Sequence, residues 1–434
     1  MKRLLLMLLS VFVLFACKGD DDEQTAQIIV PSSCTVSALT ATISCIFNGL
    51  STDDLAYGTF GIMYCQNNDA AESEFMSWKE GNDNPDCSVF RRGTMKSGGA
   101  YQAIIENLVP NTEYSYCVFF MSGDKTRREI GAISTFRTQE FSPIIRADAT
   151  KDIMHYTATV CGNVILSSAD MKLCTIGFII SDSTDVDVRN GTIHSVSPVN
   201  ENGDIAVSLT GLRAGHDYCF KIFVRINATD EYNFGSLGTF TTASPDDMAV
   251  DLGLSVKWAD RDLGSDDLNE RAPCYAWGHF VSYGTYFNLD VNKYKYWDTS
   301  NNCYMDIGDD ISGTEYDVAR YLLGGKWRMP TKAEVEELLT CKLEIQYRGG
   351  GAIDGYKFVG SNDNSIYMTQ ALRWTSTLSD YVDVIRVNNN TVTYDCVYPN
   401  PWLFNSWDGI EFFGDFNKKY SRFRECIIRP VCDY

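Results

Sequence analysis

Along "EYSYCVFFM", residues 113–121, bulky apolar side chains recur at every second position, so that Tyr114, Tyr116, Val118 and Phe120 share one face. A period of two predicts a β-strand with a buried side. "DYCFKIFVRI", residues 217–226, repeats the pattern with Tyr218, Phe220, Ile222 and Val224. The correspondence runs past the strand: residues 108–138 align without a gap on residues 212–242. Both segments carry a leucine before a turn (Leu108, Leu212), the tyrosine, the alternating strand, a polar hairpin, and Gly-x-x-x-Thr-Phe-x-Thr ending at Thr138 or Thr242. Upstream, "TATISCIF" answers "TATVCGNV" and "FGIMYC" answers "IGFIIS", which predicts second and third strands in each copy. A repeat of short strands and polar turns, about 100 residues per copy, predicts two β-sandwiches. They span residues 28–139 and 140–243.

At "TASPDD", residues 242–247, a polar turn marks a boundary, and beyond it the alternation fades while tryptophan, tyrosine and glycine become frequent. Residues 244–434 therefore form a third domain. Within it Thr331 can cap a helix, Glu334 stands three residues later as its capping-box partner, and Val335, Leu338 and Leu339 supply an apolar stripe. Trp258, Trp277 and Trp327 read as core or loop-stapling residues. Arg328 and Arg429 read as internal salt-bridge or carbonyl-binding arginines.

The first residues have a different texture. Lys2 and Arg3 precede an apolar run over residues 4–15, which as a helix spans only ~18 Å against the roughly 30 Å of a bilayer core. This fits a secretory signal better than a transmembrane anchor. Cys17 follows directly, and residues 20–23 are all acidic. Overall, 37 basic against 57 acidic residues give a net charge of -20, which disfavours nucleic acid and anionic lipid as partners.

Setting Cys17 aside leaves 14 of the 15 cysteines, an even number suited to disulfides in an oxidising compartment. A hairpin turning at Leu39 and Thr40 places Cys34 opposite Cys45, and Cys65 with Cys87 closes a local loop. Cys45 and Cys117 fall on faces that should not meet. No Cys-x-x-Cys, His-Glu-x-x-His, phosphate loop, dinucleotide fingerprint or Gly-x-Ser-x-Gly elbow is present. No catalytic residue, metal ligand or cofactor site is assigned.

Four resemblances add to this. "LFAC" resembles the bacterial lipobox, which implies that Cys17 is lipidated and becomes the mature N-terminus after a signal peptide over residues 1–16. The acidic tether over residues 17–27 is similar to the export signal of Bacteroidetes-type surface lipoproteins, implying an outer-membrane protein exposed on the cell surface. The two sandwiches resemble fibronectin type III modules, which implies spacers or binding platforms. "VDLGLSVKWA", "YAWGHF", "LLGGKWRMPTKAEVEELL" and "IIRPV" resemble the FISUMP domain (Fibrobacter succinogenes major paralogous domain), with Trp327, Arg328, Met329, Pro330 and Thr331 as its structural motif. That likeness implies an α+β, C-type-lectin-like fold after the two all-β modules.

Residues 396–420 depart from the FISUMP pattern, setting Trp402 and Trp407 beside Asn405 and Asp408. Aromatic faces next to amides and acids suit sugar rings; a loop packed on its own domain is the other reading. The expected function is recognition of an extracellular glycan or glycoprotein by the C-terminal domain. A structural or assembly role is the alternative, and glycan processing a third, weaker one.

Overall fold

The computed structural model describes residues 29–66, 71–90, 94–95, 99–197, 203–267, 272–282, 291–301, 303–386, 393–405, 411–413 and 422–434. Cys17 lies outside them. The described residues are predominantly β, with several sandwich layers and few helices, and the chain divides into two compact units.

The first unit comprises Met1–Ser142 with Leu166–Cys174 and Asn227–Thr229. One sheet orders Ile29–Val36, Ala41–Phe47, Ala100–Ile105 and Thr94–Met95; the other orders Ser88–Phe90, Thr59–Gln66, Glu113–Met121 and Arg128–Ile130, with Ser134–Arg137 also pairing with Glu113–Met121. Tyr114, Tyr116, Val118 and Phe120 enter the core with Ile43, Cys45, Phe47 and Ile62, as the alternation requires. The opposite face of the Glu113–Met121 strand is not exposed. Cys117 and Phe119 are fully buried there under the helix Ala71–Lys79, through Phe75 and Trp78, with the Trp78 and Phe119 rings 4.7 Å apart. Cys45 and Cys117 thus sit on opposite sides of one sheet.

The first hairpin departs from expectation. Cys34 pairs with Ile43, and Cys45 with Pro31, with a register shift between Pro31 and Ser33. The turn closes one residue early, by Ser37 N–H donating to Thr40 O at 2.9 Å. Its cause lies far along the chain: Asp170 accepts from Ser37 Oγ (2.6 Å), Leu39 N (2.7 Å) and Ala38 N (3.2 Å), pinning the turn at those residues. The described cysteines are thiols.

The second unit joins Pro143–Ile165, Thr175–Ile226 and Asp230–Tyr434. Its sandwich sets Ile144–Ala147, Ala158–Ile165 and Asp204–Leu209 in one sheet; Thr192–Val196, Cys174–Ser181, Asp217–Ile226 and Glu231–Phe234 form the other. In each sandwich the repeated residues do the same work. Val109 N–H donates to Tyr114 Oη (3.0 Å) and Arg213 N–H to Tyr218 Oη (2.9 Å). Thr138 Oγ1 donates to Val109 O and Thr242 Oγ1 to Arg213 O. Phe136 and Phe240 stack on the two tyrosines at 5.4 Å. The repeat is thus a tyrosine corner closed by a threonine.

The segment after Thr242 is a boundary in sequence but not an open hinge. Met248 is fully buried in one core with Tyr156, Ala214, Trp277, Trp327 and Trp374. Asp266 accepts from His155 N, Tyr156 N and Thr157 Oγ1. Beyond it, Ala249–Val250, Lys257–Ala259, Val431–Cys432 and Trp327–Arg328 form a small sheet. The meander Lys342–Tyr347, Ile353–Val359, Ser365–Thr369 closes a second core with Trp258, Val335 and Leu338. The long strand Leu372–Arg386 pairs with Thr393–Asn405.

Candidate functional site

The Gly-Gly-x-Trp-Arg-Met-Pro-Thr segment is a staple. Helix Val318–Leu323 stops at Gly324, whose φ of 68° is followed by 55° at Gly325, backbone geometry that glycine adopts without strain. Trp327 then enters the core and Met329 is fully buried. Arg328 pairs with Glu334 (2.5 Å) and Asp433 (2.7 Å) and donates to Ser312 Oγ. Pro330 O accepts from Ser376 N. Thr331 caps helix Lys332–Leu338 in a full capping box with Glu334. Asp317, which caps helix Val318–Leu323, is held in a similar way: buried, it accepts from Gly313, Ala319, Arg320 and Met329 N–H groups. Burial pushes its carboxyl up, against the pull of those four donors.

Deeper still, Asp262 receives both a fork from Arg373 (2.9 and 2.8 Å) and Arg429 Nε (2.8 Å). Arg429 also donates to Ala259 O and Tyr367 O. Burial alone would raise the Asp262 carboxyl, but the two guanidiniums outweigh it and hold the group at about 2. These groups are consumed by one another.

Open chemistry lies elsewhere, in a groove of about 370 Å³ in the second unit. Its walls are the end of the Cys174–Ser181 strand with Asp182, the facing Asn190, Thr192 and His194, the turn at Thr210–Arg213, Tyr218, and Tyr321 from helix Val318–Leu323. Arg213 is tied at several points. Its N–H serves Tyr218, its carbonyl serves Thr242, its Nε donates to Tyr321 O (3.1 Å), and its guanidinium lies 5.3 Å from the Tyr321 ring. Tyr321 in turn lies parallel to Phe280 at 4.7 Å yet is 45% exposed. His216 packs edge-on to Tyr218; burial, then Arg213, holds its imidazole below the ordinary value. The result is a pre-positioned rim of hydroxyl, amide, carboxylate, imidazole and guanidinium groups over Ile180, Leu209 and Leu212. It offers hydrogen bonds and apolar contact to a small polar ligand.

Of the residues proposed from sequence for ligand contact, Trp402 and Asn405 lie in the strand Thr393–Asn405, with Asn405 paired to Leu372 and Glu411. Trp407 and Asp408 lie outside the described residues. The groove went unnoticed in sequence because its residues come from five separate segments, and those that carried a signal, Ile180, Ser181, Leu212 and Tyr218, carried it as parts of the repeat.

No protein-family profile matches the chain, and no curated protein does. Among solved structures, the sensor domain of the anti-sigma factor RsgI4 of Pseudobacteroides cellulosolvens is similar over 24% of this chain and 90% of its own, at 22% identity and a TM-score of 0.18. The FN1–FN3 domains of chicken CNTN1 are similar over 50% of this chain and 68% of theirs, at 11% identity and a TM-score of 0.20. Scores this low carry no argument about fold or function here.

Proposed function

We propose that the chain is a lipoprotein anchored through Cys17 in the outer membrane and exposed on the cell surface. Its fibronectin III-like modules carry a FISUMP, C-type-lectin-like domain that recognises an extracellular glycan or glycoprotein. The observation that carries the binding reading is the groove in which Tyr321 of that domain meets Arg213 and its neighbours of the second module. Its fixed polar rim matches the hydroxyl-rich edge of a saccharide, and apolar floor residues match its C–H faces. The net charge of -20 favours neutral or basic ligands over acidic ones. The aromatic insertion around Trp402 and Trp407 is a second contact surface in this proposal.

The test is glycan-array binding by the chain from residue 18 onward, followed by variants. Asp182→Ala and Tyr321→Ala remove groove contacts, the latter leaving the backbone carbonyl that Arg213 uses. Trp402→Ala with Trp407→Ala removes the two tryptophans of the insertion. At least a tenfold loss of affinity in one set, with the melting temperature retained, assigns the surface. Absence of glycan or glycoprotein binding by the intact chain overturns the reading in favour of a structural or assembly role.

A further inference from the structure

In the first unit, Tyr64 pairs with Ser88 across the Thr59–Gln66 and Ser88–Phe90 strands, so Cys65 and Cys87 stand opposite each other one step on. Both thiols belong to the face that packs under helix Ala71–Lys79, and both line an open groove of about 520 Å³ with Tyr64, Gln66, Asp86 and Asn107. Each is partly exposed, whereas Cys117 nearby is fully buried. We propose that Cys65 and Cys87 are a modification site: a dithiol that an external disulfide donor converts to an intramolecular disulfide, locking the helix-bearing excursion between them.

Cross-strand geometry selects this pair. Directly opposed residues have Cβ atoms ~4.5 to 5.5 Å apart, close to disulfide reach, while diagonal neighbours are ~7 to 8 Å apart. Cys117 faces Met63 and so is diagonal to Cys65. It lies two strands from Cys87, roughly 9.5 Å at the usual spacing. Cys87 also sits just beyond the Ser88–Phe90 strand, where ladder hydrogen bonds do not constrain it.

The chemistry is exchange. One thiolate attacks the donor disulfide and releases one donor thiol, leaving a mixed disulfide; the second cysteine displaces the other donor thiol. Two protein S–H bonds and one donor S–S bond are lost, one protein S–S and two donor S–H bonds form, and two electrons pass to the donor. Burial pushes both thiols up, Cys87 to about 11, with Glu74 and Asp86 adding to the rise. Exchange at neutral pH is accordingly slow and accelerates with alkalinity.

What the lock secures is otherwise held by contacts alone: Arg128 donates to Trp78 O (3.0 Å) and pairs with Asp83, and Asp86 N–H donates to Glu74. The inference does not rest on the glycan reading. The experiment treats the folded chain with oxidised glutathione, blocks remaining thiols with N-ethylmaleimide, and maps unreduced peptides by mass spectrometry. A linked Cys65–Cys87 peptide pair, two hydrogens lighter than the sum, is expected. In Cys87→Ser, Cys65 should end as the glutathione mixed disulfide. Alkylation of both cysteines in the treated wild-type chain, or a link from either one to Cys117, overturns the proposal.

Discussion

Replacing Asp262 by asparagine removes a carboxylate that two buried guanidiniums share. Arg373 and Arg429 are 2% and 3% exposed, so neither can turn to water. Truncating one partner of such a buried network costs ~3 to 5 kcal/mol, because charge is left uncompensated. For a unit of this size that is a fall in Tm of roughly 10 °C. Denaturant unfolding followed by tryptophan fluorescence reads it, since Trp258, Trp277, Trp327 and Trp374 are all buried in the same unit. The pH dependence gives an independent check. The folded carboxyl titrates at about 2 against an ordinary 3.8, so its stabilisation is full above about pH 4 and is lost as pH falls toward 2. The amount is roughly 2 to 3 kcal/mol. Asp262→Asn should abolish that acid limb. Adding Arg373→Met should recover part of the loss by removing one orphaned cation. A cost below about 1 kcal/mol, or an unchanged acid limb, would refute the assignment of this triad as a coupled unit.

Two further outcomes follow from polar groups at a distance in sequence. Asp170→Ala strands the Ala38 and Leu39 amides and leaves Ser37 Oγ with Thr40 alone, which should destabilise the first unit by about 3 kcal/mol and speed hydrogen exchange at those amides; unchanged exchange there would contradict the role. His155 is held above its ordinary 6.5 by Asp266, against burial and with help from Asp247. Its contribution is therefore present below pH 6.5 and fades as pH rises through the folded value. The Tm of the second unit should drop between pH 6 and pH 8 more in the wild type than in His155→Gln, and parallel curves would count against it.

What could be read in advance was local or repeated. The Tyr114 and Tyr218 faces follow from a two-residue period, and the Thr331 cap from a four-residue motif. Both are set by neighbours in sequence. The helix Ala71–Lys79 escaped because nine residues with only Ala71, Phe75 and Trp78 buried give too little periodicity to stand out. The Cys34 register escaped because Asp170, more than a hundred residues away, fixes the turn. Arg429 carried an internal-partner signal, but nothing near "LRWTST" pointed Arg373 at Asp262. Charge pairs that close a core are chosen by the fold, not by spacing.

The two grooves follow from the repeat itself. In the first sandwich the cleft lies between Tyr64–Gln66, residues 85–88, and the turn before Tyr114; in the second it lies between Ile180–Asp182, residues 190–194, and the turn before Tyr218. The strand pairings superpose these places, Tyr64 on Ser88 matching Ile180 on Thr192. Cys65 then corresponds to Ser181, and Cys87 to Gly191. A thiol pair is thus present in one copy and absent from the other. The tyrosine corner leaves a cleft wherever the third strand runs past the turn, so the cleft itself is a property of the module. What differs is the filling: opposed thiols in the first, and in the second a wall supplied by Tyr321 and aimed by Arg213. Because Gly191 meets Ile179 Cγ2 at 2.3 Å from an added Cβ, a cysteine there would displace its neighbour. The second copy is closed to the lock that the first accepts, and its cleft stays available for a ligand.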